Sequence, residues 1–287
     1  MKKSVRLQSA MEYLMTYGWA ILIIAVVLGA LFQLGVFNSS SFSPRAPPGA
    51  CQVFRPSGPG TTTNINLMGV CTGQLPQYVA QFNGQNGYVD AGNGISLNVL
   101  NAITVVVWIR TSDTKAVQFI GGHGNSGVNG WNMFVISGTS VQFRVGNGTA
   151  TVAPSMSYSK GPWTFITATY DGFNVITYVN GVAGTPLTVL KPIDYTSVTN
   201  TWIGQIQGSG GSSGRYFNGS ISNMQIYNTS LSTNQIQALY LEGIGGAPSK
   251  LQNLVGWWPL NGNSNDYSGN NNNGVPTNVV FTSQYGK

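Results

Sequence analysis

From Trp19 to Phe37 runs a stretch of 19 residues that are apolar except for Gln33, and no other segment of the 287-residue chain resembles it. As a helix it is about 28 Å long, close to the hydrocarbon thickness of a bilayer. A helix apolar on every side needs lipid, or copies of itself, around it. The rest of the chain must therefore be exported, tethered or stacked on a bundle of such helices. Ahead of the run, Met1-Lys2-Lys3-Ser4-Val5-Arg6 is short and basic. That favours a cytoplasmic start with the C-terminal bulk outside. A secretory signal peptide has a shorter core and a small-residue cleavage site. Here Asn38-Ser39-Ser40-Ser41 follows instead.

Glu12 does not suit a plain anchor. A lone carboxylate near the edge of a membrane segment costs a few kcal/mol unless paired or solvated. In a filament it can pair with the N-terminal amine of a neighbouring subunit. Gln8-Ser9-Ala10-Met11-Glu12-Tyr13-Leu14 and the apolar run resemble the class III signal peptide and N-terminal helix of archaeal type IV pilins. The resemblance implies cleavage between Leu7 and Gln8 by a prepilin peptidase on the cytoplasmic side. It also implies a helix in the filament core, with Glu12 as fifth mature residue serving assembly. Leu7 departs from the small residue usual in that family. The plainer alternative is an uncleaved single-pass anchor with Glu12 at the water interface.

The expected organisation is a leader at 1–7, a transmembrane or filament-core helix at 8–37, a neck at 38–76, a β-sandwich at 77–243 and a completing tail at 244–287. Cys51 and Cys71 are the two cysteines. Outside the membrane they are expected to form one disulfide, which stabilises by roughly 3 kcal/mol on loop entropy. A zinc site is not expected, since the chain has one His and no further thiol. Only 7% of residues are charged. Of the 13 Lys and Arg, Lys2, Lys3 and Arg6 stand in the leader and the other ten are scattered, so the +6 net charge gives no nucleic-acid surface. Asn38, Asn147, Asn218 and Asn228 head N-x-S/T sequons and are candidate glycosylation sites.

From Gln77 to Met224, short apolar runs alternate with Gly, Asn, Asp and Ser. Ile103 to Ile109 is rich in β-branched residues, as a central strand would be. Asp171-Gly172 and Asn180-Gly181 read as hairpin turns. Ser232 can cap one helix ending near Leu241. Many short strands and little helix predict an all-β sandwich. Trp163 to Gly172, Tyr178-Val179-Asn180-Gly181, Phe217 to Asn228 and Leu231 to Ile236 resemble, in order, the laminin-G-like branch of concanavalin A-type jelly rolls. The resemblance implies two antiparallel sheets face to face and an edge site for Ca²⁺ and sugars. Leu254 to Asn263 and Asn265 to Gly274 resemble the segment that normally opens such domains, so the order reads as permuted. The tail, joined by Glu242 to Lys250, is expected to fold back on its own head. Insertion into a neighbour is the alternative.

For chemistry, the head's acids are Asp90, Asp113, Asp171, Asp194, Glu242 and Asp266, and no clustered pair suggests a glycosidase. His123, in Gly121-Gly122-His123-Gly124-Asn125, is expected to be an exposed loop residue. No catalytic residue is assigned. Asp266, Ser268, Asn270 and Asn273 offer hard oxygen ligands and are the candidate Ca²⁺ site. Trp131, Tyr158, Tyr195 and Tyr216 are candidate sugar platforms, and Trp108, Trp163, Trp257 and Trp258 are assigned to the core. The reading is a non-enzymatic, pilin-like subunit of a cell-surface filament with a lectin-like adhesive head. A membrane-anchored carbohydrate-binding protein that never polymerises is the alternative, ahead of a secreted polysaccharide hydrolase.

Overall fold

The structure is a computed structural model. It describes residues 4–33, 51–54, 62–65, 76–124, 129–189, 192–196, 198, 200–206 and 215–283, with side chains of the first helix from 17 to 31. The chain divides into two units, Met1–Arg45 and Ala46–Lys287.

The first unit is helix α1, Ser4–Gln33. Its apolar side chains face solvent on all sides, with Trp19, Ile21 and Val26 each more than 60% exposed. Residues 34–37 of the span expected over 8–37 lie outside the described residues. Helix α1 is described only to Gln33, and among the described residues no helix is long and apolar enough to cross a membrane. Leu7, Gln8 and Glu12 lie within the helical backbone. In the expected neck, β1 (Cys51–Phe54) and β2 (Thr62–Ile65) form an antiparallel hairpin that the Pro/Gly-rich composition did not suggest. Cys71 lies outside the described residues, and with it the expected bridge.

The second unit also holds two antiparallel sheets. One runs β10 (Met156–Ser157), β8 (Ser140–Asn147), β7 (Asn129–Ile136), β6 (Val117–Gly124), β15 (Trp202–Ile203), β4 (Tyr88–Asp90), β18 (Val275–Thr277), with β9 (Ala150–Val152) beside β8. The other runs β13 (Val182–Ala183), β12 (Asn174–Val179), β11 (Thr164–Tyr170), β5 (Ile103–Arg110), β16 (Asn218–Tyr227), β3 (Val79–Asn83), β19 (Val280–Thr282). In that second sheet β14 (Leu187–Thr188) flanks β12 and β17 (Leu254–Trp258) flanks β16. The fold is the all-β jelly-roll sandwich.

The run Ile103 to Ile109 does not alternate in polarity because both faces of β5 are covered. Ile103, Val105, Val107 and Ile109 enter the core between the sheets. Val106 and Trp108 meet helix α2 (Thr233–Glu242) on the outer face, where Ile236 and Leu239 pack. Ser232 and Gln235 close a capping box that starts α2.

His123 is not a loop residue. It sits in β6, fully buried. The glycines around it signal close backbone approach rather than a loop. A Cβ on Gly121 would lie 2.7 Å from the Trp202 carbonyl oxygen, and one on Gly122 would lie 2.7 Å from that of Trp131. His123 Nε2 is 2.8 Å from Asn98 Oδ1, and Nδ1 is 2.7 Å from Thr201 Oγ1. A neutral ring satisfies both by donating to Asn98 and accepting from Thr201. Burial holds the imidazole down to about 4.

The tail pairs within its own chain in both sheets. β17 runs antiparallel to β16 over Met224–Tyr227, β18 pairs with β4 and β19 with β3. Trp258 and Leu260 are fully buried in the main core, and Trp258 Nε1 donates to the Asn272 carbonyl at 2.8 Å. Gly256 permits this, since a Cβ there would come within 2.4 Å of the Trp258 ring.

Trp258→Ala is expected to lose about 3–5 kcal/mol, the usual loss for a buried aromatic. A chain ending at Lys250 is expected to aggregate or to lack a cooperative melt; a normal melt from that truncation would show that the tail is dispensable. For His123, the folded ring stays neutral while the unfolded ring protonates below about 6.5. The unfolded state then binds more protons, so stability falls as pH drops. Urea unfolding should lose about 1.6 kcal/mol between pH 6.5 and 5. The loss should vanish in His123→Gln, and an equal slope in both proteins would rule out His123 as its source.

Candidate functional site

The pairing of β17 with β16 also builds a cleft. Two adjacent residues on a strand face opposite ways, so Trp257 and Trp258 cannot share one core. Trp258 takes the core and Trp257 is left half-buried on the other face. The ladder between β16 and β5 shifts register between Ser222 and Gln225, and Asn223 sits there with a left-handed φ of 52°. Asparagine tolerates that conformation.

Asn223 anchors the indole. Its Oδ1 accepts from Trp257 Nε1 at 2.8 Å and from Gln225 Nε2 at 3.0 Å, and its Nδ2 donates to the Gly246 carbonyl at 2.8 Å. The Tyr267 ring meets Trp257 edge to face, with centroids 6.1 Å apart at 64°. Tyr267 is 53% exposed, and its hydroxyl accepts from Asn263 Nδ2 at 3.1 Å. Asn261 Oδ1 accepts from the Tyr78 backbone at 2.8 Å. These side chains, with Pro76, Ile244, Gly245, Gly246 and Pro259, line a cleft of about 360 Å³. That volume lies within the range of small-ligand sites. Among the described residues that line it there is no acid, base or histidine.

The loop after β17 fixes the platform through Asp266. Its Oδ1 accepts from the backbone N–H groups of Trp257 and Ser268, both at 2.9 Å. Its Oδ2 accepts from Ser268 Oγ and the Asn272 backbone, both at 2.9 Å. The Tyr267 N–H in turn donates to the Trp257 carbonyl at 2.8 Å.

This geometry does not fit the Ca²⁺ expected at Asp266, Ser268, Asn270 and Asn273. Each Asp266 oxygen already faces two donors. Asn273 Oδ1 accepts from the Asp266 backbone at 3.0 Å, and Asn270 Nδ2 donates to the Leu254 carbonyl at 3.3 Å and to Ser268 Oγ at 3.1 Å. A cation would have to displace N–H groups rather than join oxygens. Among the described residues there is also no group of three His, Cys, Asp or Glu placed to hold a metal.

The other candidates fall elsewhere. Trp131 is fully buried in β7, a correction to its expected role as a platform; an aromatic residue beside Gly-rich sequence looked like a loop residue. Tyr158 is buried, and Tyr195 lies against the His123 ring at 4.8 Å with its hydroxyl donating to the Val99 carbonyl at 3.0 Å. Tyr216 is half-buried. The aromatic pair at the cleft was not among the expected platforms, although the adjacent tryptophans signal that one must leave the core.

The acids Asp90, Asp171 and Asp194 accept from turn and loop N–H groups. Asp113 bonds Asn218 Nδ2 at 2.7 Å, and its carboxyl is held below the usual range by hydrogen bonds and Lys115 against the opposing effect of burial. Asn218 is thus a half-buried strand residue with its amide engaged, Asn147 ends β8, and Asn228 stands exposed after β16. Asn38 lies outside the described residues.

Comparison with known proteins agrees with this architecture. A candidate carbohydrate binding protein from Bacteroides ovatus superposes with a TM-score of 0.58 at 17% identity, covering 77% of this chain and 66% of that one. The chain thus spans just under two thirds of that protein. A SAP-like pentraxin from Limulus polyphemus gives 0.49 at 17% identity over 72% of this chain and 94% of its own. The CBM40 of the Ruminococcus gnavus IT-sialidase, bound to α2,3 sialyllactose, gives 0.48 at 18% over 58% and 98%. No curated protein matches the sequence. Residues 83–237, more than half of the chain, match the Laminin_G_3 family profile, and the chain therefore belongs to the concanavalin A-like lectin/glucanases superfamily.

Proposed function

We propose that the second unit is a non-catalytic glycan-binding head and that the chain is a pilin-like subunit of a cell-surface filament, with the head outside. The observation that carries the first part is the cleft at Trp257. Two aromatic rings set at an angle, amides from Asn261 and Asn263, and apolar walls are what a sugar ring needs. The names of similar folds, including a sialidase CBM40 and a candidate carbohydrate binding protein, point the same way. Hydrolysis requires two carboxylates beside the scissile bond, and the cleft lining offers none.

The filament reading rests on helix α1. Its apolar side chains point outward at every angle, and only a bundle of like helices or lipid can cover such a surface. Together with the Gln8 to Leu14 segment this supports cleavage after Leu7, and assembly through Glu12 paired with a neighbour's new amine.

Binding is expected to need no Ca²⁺. On a glycan array, the full chain in detergent micelles should give the same hits with millimolar Ca²⁺ and with EDTA. Trp257→Ala should lose at least about tenfold in affinity, roughly 1.4 kcal/mol. Signals that depend on Ca²⁺, or that survive Trp257→Ala, would move the site elsewhere. For the filament, mass spectrometry should find Gln8 at the mature N-terminus, and electron microscopy should find fibres that Glu12→Ala abolishes. A start at Met1 with the chain confined to membranes would favour a plain anchor.

A further inference from the structure

This step rests on the glycan reading of the Trp257 cleft and narrows its ligand. We infer that the cleft takes an uncharged pyranose through its apolar face and discriminates against sugars that carry a carboxylate.

The described residues that line the cleft contain no Lys or Arg. An anionic sugar leaving water for such a cleft gives up charge solvation that neutral donors replace only in part. The donors nearest the indole are partly committed. Trp257 Nε1 is given to Asn223, Asn223 Nδ2 to Gly246, and Asn263 Nδ2 to the Tyr267 hydroxyl. What remains for a ligand is the Tyr267 O–H, both N–H groups of Asn261, whose Oδ1 alone is used by Tyr78, and the second N–H of Asn263. These neutral donors suit hydroxyls, a ring oxygen or an acetamido carbonyl.

The charge bonded to the platform strand has the wrong sign for an acid. Asp266 accepts from the backbone N–H of Trp257, so the strand that carries the indole already holds a carboxylate. The apolar part of the cleft favours the opposite kind of ligand. With its N–H spent, Trp257 presents only ring carbons. Aromatic faces are electron-rich and attract the weakly positive C–H groups clustered on one side of a gluco- or galacto-configured ring. Tyr267, tilted at 64°, gives the second wall of the corner.

The test uses the full chain in detergent micelles with paired probes, lactose against 3′-sialyllactose and triacetylchitotriose against a glucuronate-containing trisaccharide. Each affinity is read by calorimetry at low and high salt. The expectation is binding of at least one neutral probe at least about tenfold tighter than its acidic partner, unchanged by salt. Tyr267→Ala and Asn261→Ala should each weaken it several-fold. Tyr267 is exposed, so its variant should keep the wild-type melting temperature and isolate binding from folding. Equal or tighter binding of the acidic probes, still sensitive to Tyr267→Ala, would overturn the neutral-sugar inference and leave the cleft as a glycan site. Binding untouched by either variant, or no binding of any probe, would overturn the cleft reading itself.

Discussion

Five residues, Leu254–Trp258, laid along Met224–Tyr227 decide most of what this head can do. The pleat sends Trp258 inward, where it is fully enclosed, and Trp257 outward to the cleft wall. Stability and the candidate site thus hang on one strand and one register. A one-residue slip would exchange the two indoles, burying the platform and exposing the core residue. Gly256 helps to prevent that slip, since only a residue without a Cβ leaves room for the Trp258 ring.

The carboxylate of Asp266 works at the same point from the other side. It takes four hydrogen bonds, one of them from the Trp257 backbone, while Tyr267 returns an N–H to the Trp257 carbonyl. The loop therefore closes the strand's outer edge and sets the second aromatic ring in one operation. Charged hydrogen bonds of this kind are the stronger ones. The same saturation removes the oxygens that a cation would need, so a residue that reads as a metal ligand becomes the post around which the loop is wound.

Much of the sandwich was legible because its signals are local. The β-branched run of β5 and the Asp171-Gly172 turn, where Asp171 Oδ1 accepts from Phe173 and Asn174, lie within a few residues of their cause. The Ser232 capping box is equally local. The site was less legible because its causes are distant. Asn223 meets Trp257 across 34 residues, and Asn261 meets Tyr78 across 183. His123 and Trp131 misled for one reason: glycine in sequence looks the same whether it frees a loop or lets two strands close in, and here Gly121 and Gly122 do the second. The β1–β2 hairpin was hidden by Pro and Gly in its surroundings.

A cleft held this firmly has consequences for affinity. Both backbone groups of Trp257 and its indole N–H are bonded before any ligand arrives, so binding spends little on ordering the protein. Yet every donor in the cleft is neutral, and neutral hydrogen bonds plus stacking make a weak single contact. Weak sites become useful when repeated. If α1 packs with copies of itself as proposed, each fibre carries many identical heads, and linked engagement raises avidity by about 10²–10⁴ without any new contact. The scarcity of charge fits the same logic: with 7% charged residues, neighbouring heads repel little and can stand close. Neutral recognition also keeps such adhesion independent of ionic strength, which a site built on arginine would not.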